Sequence, residues 1–133
     1  MGMLGSFPIY PVLAASDIDR ARTWYQEKLG MTPKVDEGWG LWYECGEGTW
    51  LLVYPTGAAG TAQNTQAHFQ VRDIEAVMEE LRGRGVTFEE YDIEGFKEMH
   101  KGGGLYEYEG YKTVFIKDSE GNTIEIAQLP PAR

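Results

Sequence analysis

The side chains best placed to do chemistry in this chain are Glu125, the two histidines His68 and His100, and the lone cysteine Cys45. Glu125 stands in Thr123-Ile124-Glu125-Ile126-Ala127-Gln128. An apolar setting of that kind raises a carboxyl pKa and suits the group to general acid or base work. His68 stands in Gln66-Ala67-His68-Phe69-Gln70. Strand side chains alternate faces, so Gln66, His68 and Gln70 are expected on one face. A Glu125–His68 couple could pass a proton, and the same imidazole could equally serve as a hydrogen-bonder. Cys45 lies between Glu44 and Glu47, whose charges raise a thiol pKa, so it reads as a packing residue. Gly102-Gly103-Gly104 has neither the lysine nor the strand-to-helix context of a phosphate loop. It reads as a hinge or turn within residues 92–110, where Tyr106 and Tyr108, with Tyr111 just beyond, would close over a ligand.

The elements that must carry these residues appear twice. Phe7–Ala14 reads as a buried strand, followed by a helix opened at Ser16 with Asp19 three residues on. Ile18, Ala21, Tyr25 and Leu29 fall on one helical face, and Gly30 ends the helix. The second copy has a strand over His68–Val71 and an N-cap at Asp73. Ile74, Val77, Met78 and Leu81 follow at helical spacing, Gly85 closes the helix, and Val86–Tyr91 reads as a strand. Ser16-Asp17-Ile18-Asp19 matches Arg72-Asp73-Ile74-Glu75 at an offset of 56 residues. Further strands are expected at Gly40–Cys45 and Thr49–Tyr54 in the first copy, and at Tyr111–Lys117 and Thr123–Gln128 in the second. Trp50, Leu52 and Tyr54 share a face by parity. The chain therefore reads as one α+β domain over residues 1–133, made of two β-α-β-β-β modules. Module one spans about 7–54, a Gly-, Ala- and Thr-rich linker 55–65, and module two about 66–129.

Composition excludes several classes. The 133 residues hold 21 acidic against 12 basic side chains, a formal charge of −9. Such a surface repels phosphate backbones and anionic membranes, so neither is an expected partner, whereas a cationic guest is drawn in. One cysteine allows no intrachain disulfide and no cysteine metal cluster, which suits a reducing, cytoplasmic setting. No apolar run is long enough to predict a membrane span.

Several groups together carry a family resemblance: Asp17-Ile18, Trp24-Tyr25, Leu29-Gly30-Met31, Phe69-x-Val71-x-Asp73-Ile74, and the ending Phe115 to Ile126 with Gly121-Asn122 before a strand containing a glutamate. With these the chain resembles the vicinal oxygen chelate superfamily, which includes glyoxalases, bleomycin-resistance proteins and extradiol dioxygenases. Ser119-Glu120 stands where that family usually has proline-aspartate. The resemblance implies a curled, cup-shaped mixed sheet with helices outside. It also implies four floor positions that hold a metal in metal-using members. Carried over, these are Tyr10, Leu52, Gln66 and Glu125.

Leu52 has no donor atom, a neutral phenol is a poor ligand and Gln66 is weak, so the usual metal site is expected to be broken. An unorthodox set of Gln66, His68 and Glu125, completed by His100, is the alternative. The leading expectation is a metal-free protein without a cofactor. It binds a small polar or cationic aromatic molecule through Tyr10, Trp50, Leu52, Tyr54, Gln66, His68 and Glu125, and works as a homodimer. The alternatives are a lyase, isomerase or dioxygenase that uses a divalent metal, with Glu125 and His68 catalytic, or an interaction domain that holds no ligand.

Overall fold

The computed structural model describes residues 3–91, 95 and 98–130. Module one runs β1 (Val12–Ala15), α1 (Ile18–Leu29), β2 (Val35–Glu37), β3 (Gly40–Glu44) and β4 (Trp50–Pro55). Module two runs β5 (Thr65–Gln70), α2 (Ile74–Gly83), β6 (His100–Gly102), β7 (Leu105–Tyr108), β8 (Tyr111–Lys117) and β9 (Thr123–Gln128). The sheets are ordered β1-β4-β3-β2 and β5-β9-β8-β7-β6, so the second repeats the first with one strand added at the far edge. In each, the opening strand runs parallel to the last and the rest are antiparallel. Over the described residues the fold is α+β, with two mixed sheets of four and five strands and two α-helices.

Parity sorts each sheet into two faces. Leu13, Leu41, Tyr43, Leu51 and Val53 of the first sheet, with Val114, Ile116, Ile124 and Ile126 of the second, join one core. That core also takes Ala21 and Tyr25 from α1 and Ile74, Met78 and Leu81 from α2. The alternate residues make the opposite faces, called the floors below. Among the described residues no helix is long and apolar enough to cross a membrane.

Several expectations need correction. The first strand begins at Val12 rather than Phe7. Asp17, not Ser16, caps α1, its carboxylate accepting from Arg20 N at 3.1 Å. Ser16 is drawn away because its hydroxyl and amide both donate to Glu120. Val86–Tyr91 forms no strand, although Glu89 N donates to Phe115 O at 2.8 Å. The third strand of that module comes instead from the stretch read as irregular, as the hairpin β6–β7. Its turn needs Gly103 and Gly104 at positive φ of 63° and 88°, and a Cβ on Gly104 would meet Phe88 at 2.6 Å. Residues 92–94, 96 and 97 of the expected lid lie outside the described residues. Gly30 (φ 68°) ends α1 and Asp73 caps α2 as expected.

The turn between β8 and β9 fastens the modules together. Glu120 has a fully buried side chain that accepts from Ser16 N and Asp17 N, both at 3.0 Å, and from Arg20 Nε at 2.8 Å. These bonds, Arg20 foremost, hold its carboxyl at about 2. Tyr25 OH donates to Asp118 at 2.7 Å, and burial first, then that carboxylate, pushes the phenol well up. Asn122, fully buried, donates to Ala14 O at 2.8 Å.

Candidate functional site

Module two builds a polar floor around Glu125. The β8–β9 register sets Phe115 opposite Glu125 and Thr113 opposite Ala127, and on the other side Glu125 pairs with His68 of β5. His68 Nδ1 lies 2.9 Å from Glu125 Oε1. A carboxylate only accepts, so Nδ1 is the donor in this contact. Thr113 Oγ1 donates to Glu125 Oε2 at 2.7 Å and Tyr111 OH donates to the same oxygen at 3.2 Å. Three donors thus converge on one carboxylate and fix its orientation. Sequence reasoning missed Thr113, and it expected Tyr111 to close over a ligand rather than to bond Glu125. The signal was present, since both share parity on Tyr111–Lys117 and a short turn pins that strand against Glu125. A hollow of about 200 Å³ stands over this cluster, walled by Met99, Tyr106, Tyr108 and Phe115.

Module one builds an apolar floor. Val35, Trp42, Leu52 and Val12 form one row across its four strands. Trp42 is the central ring, edge-to-face with Trp39 and with Trp50, each at 6.4 Å between centroids. Gly40 keeps this face open, because a Cβ there would meet Leu52 at 3.0 Å. Trp50 was expected here, whereas Trp42 and the hairpin-tip residue Trp39 were not among the expected ligand-binding residues. Leu52 is buried within the row, Tyr54 is exposed, and Tyr10 is half-buried just before β1.

The structure brings together two of the expected polar site residues, His68 and Glu125. Gln66 is diverted. A bulge between Thr65 and Ala67 makes it the extra residue of β5 and breaks its parity with His68. Its carboxamide accepts from Thr123 N and donates to Asn122 Oδ1, both at 3.1 Å. His100 is held elsewhere: its Nε2 lies 3.1 Å from Gly104 N and 3.2 Å from Glu90 Oε1, and the ring lies against Tyr106. Trp50 and His68 line one crevice of about 360 Å³, between Ile9, Pro11 and Leu13 on one side and Ala67, Phe69 and Gln70 on the other.

A divalent cation wants several hard or imidazole donors within reach. Of the four positions expected to hold one, Leu52 is hydrocarbon and Gln66 is spent on Thr123 and Asn122. Among the described residues no group of three His, Cys, Asp or Glu side chains is placed to hold a metal ion. The residues present do not fit the family's metal.

No curated protein sequence matches the chain. A glyoxalase/bleomycin resistance protein from Catenulispora acidiphila DSM 44928 superposes with a TM-score of 0.69 at 20% identity, covering 93% of this chain and 99% of that one. A lactoylglutathione lyase from Agrobacterium tumefaciens gives 0.67 at 17% identity, covering 92% and 93%. TnmS3, an antibiotic binding protein from Streptomyces sp. CB03234, gives 0.62 at 19% identity, covering 92% and 97%. At these identities the likeness is one of fold. Residues 9–126 match the family model for the glyoxalase/bleomycin resistance protein/dioxygenase superfamily, and the chain belongs to that superfamily.

Proposed function

We propose that this protein binds a small cationic aromatic molecule without a metal, one half of the guest lying on each floor. The observation that carries the reading is the division of labour between the modules. One floor offers three edge-to-face indoles, and the other offers a carboxylate fixed by His68, Thr113 and Tyr111. Indole faces attract cations and stack on flat rings, and a positioned carboxylate adds orientation. The formal charge of −9 favours such a guest at long range. A fold neighbour described as an antibiotic binding protein supports the same use of the scaffold.

Benzyltrimethylammonium tests this. It is expected to quench tryptophan emission saturably, and neutral benzyl alcohol to bind at least about tenfold more weakly, a difference of about 1.4 kcal/mol. Glu125→Gln keeps the shape, removes the charge and should close most of that gap. Metal content of the same preparation, measured by mass spectrometry after soaking in Ni²⁺, Zn²⁺, Fe²⁺ and Mn²⁺, should stay at background. Near-stoichiometric metal lost in Glu125→Gln would overturn this reading for a metal-dependent lyase, isomerase or dioxygenase.

The working unit in this reading is a homodimer. Phe7, Ile9 and Val12 are 61%, 92% and 52% exposed, an apolar strip beside the module-one floor. Exposed apolar strips of this kind mark interaction surfaces. Light scattering is expected to give twice the chain mass, and Ile9→Asp to give the single mass with an unchanged far-ultraviolet spectrum. A wild-type monomer at high micromolar concentration would sink the dimer.

A further inference from the structure

The two modules correspond residue by residue, and one correspondence leaves a hole. Aligning Asp17 with Asp73 sets Tyr25 of α1 against Leu81 of α2. Aligning Gly48 with Gly121 sets Tyr43 of β3 against Ile116 of β8, and Asp118 against Cys45. At the module-one end the three larger partners fill the space under the helix. Tyr25 and Tyr43 stack at 5.4 Å with 28° between their planes, and Tyr25 OH donates to Asp118. At the module-two end the same places hold two aliphatic chains and a thiol. What remains is a cleft of about 290 Å³ lined by Leu81, Ile116 and Cys45, with Phe69, Val71 and Val77. These β-strand residues have core parity, so the cleft lies on the face of the second sheet opposite His68 and Glu125.

We propose that this cleft is a second binding site, for a small uncharged aromatic molecule of one ring, seated where a tyrosine ring sits at the other end. Its walls are apolar apart from the thiol and Glu44. The Cys45 Sγ lies 3.7 Å from Tyr43 O, burial raises its pKa, and Glu44 is paired with Lys34 at 2.9 Å. A charged guest would find no partner there and would lose its hydration. An apolar cavity of roughly 150 Å³ already holds benzene in other proteins, so this volume takes one ring with room to spare. Cys45, Gly46 and Phe69 also border the Trp50–His68 crevice, whereas Val71, Val77 and Leu81 line this cleft and not that one, so these three separate the two sites.

The test is a titration of the full-length ¹⁵N-labelled protein with toluene, followed by its amide resonances. Saturable shifts are expected at Val71, Val77 and Leu81, and benzyltrimethylammonium should leave these unmoved. Leu81→Phe puts a ring into the cleft from the protein itself and is expected to weaken toluene binding at least about tenfold. Val77→Phe is a second filling variant, at a half-exposed position, should the first fail to fold. The absence of saturable shifts at these amides overturns the proposal, as does unchanged toluene affinity in a folded filling variant. Movement of the same amides on simple dilution also overturns it, because a second copy would then be the occupant.

Discussion

Replacing Glu120 with alanine is expected to lower the unfolding free energy by about 3 kcal/mol, the scale for removing one member of a buried charged network and stranding its partners. The side chain is fully buried, and it closes the first turn of a helix that belongs to the other module. Asp17 is the N-cap of that helix and Ser16 precedes it, where no helical carbonyl reaches either amide, so the loss leaves Ser16 N and Asp17 N without their acceptor. Arg20→Ala should also be destabilising, because it removes the chief partner of a fully buried carboxylate and leaves Glu120 only the Ser16, Asp17 and Ser119 donors.

The same carboxylate sets a pH dependence. Its folded value of about 2 lies below the ordinary 4.5. A depressed value means the unfolded chain takes up the proton more readily. The contribution is therefore complete above pH 4.5 and is lost as pH falls from there toward 2. Urea melts at pH 7 and pH 3 check both effects. The wild type should lose more stability over that interval than Glu120→Ala. Melting of the variant together with the wild type at both values would show that the clamp contributes nothing.

Trp42→Ala is expected to weaken benzyltrimethylammonium binding by about tenfold to a hundredfold, ~1.4–2.8 kcal/mol, the range for a desolvated cation over an indole. Trp42 is the middle of the three rings, so its loss also frees Trp39 and Trp50 from their edge contacts. Trp42→Phe retains a smaller aromatic face and should fall between. Trp24→Phe, on α1 against Tyr25, is the control that alters emission without touching the floor. Fluorescence titration and calorimetry read the outcome. Equal affinity in Trp42→Ala would remove the aromatic floor from the binding account, whatever Glu125 does.

Much of this arrangement was legible in the sequence where local chemistry decides it. Asp73 before Ile74, Val77, Met78 and Leu81 states a helix start and its buried face, and the structure keeps both. Tyr111–Lys117 and Thr123–Gln128 form as strands over those bounds, because alternation and a tight turn leave one register. What was hidden depends on groups distant in the chain. Ser16 looks like a helix cap until Glu120 claims it from another module. Gln66 looks like a neighbour of His68 until one extra residue in β5 turns it toward Asn122. Val86–Tyr91 has the composition of a strand, yet β7 takes the place beside β8 through Tyr106 and Thr113. The Glu125–His68 pairing was expected from the family's floor positions together with strand parity, whereas the third and fourth members, Thr113 and Tyr111, needed the hairpin register.

The turn that fastens the modules also dictates an order of events at the ribosome. The bond from Ser16 to Glu120 spans 104 residues and that from Asn122 to Ala14 spans 108. At ordinary translation speeds the early helix waits roughly 5–20 s for its acceptor to be synthesised. During that wait the space against Tyr25 that Asp118 later fills is open, and the first sheet cannot be sealed. A nascent chain halted within the second module therefore presents a sticky, unfinished first half, a natural client for chaperones.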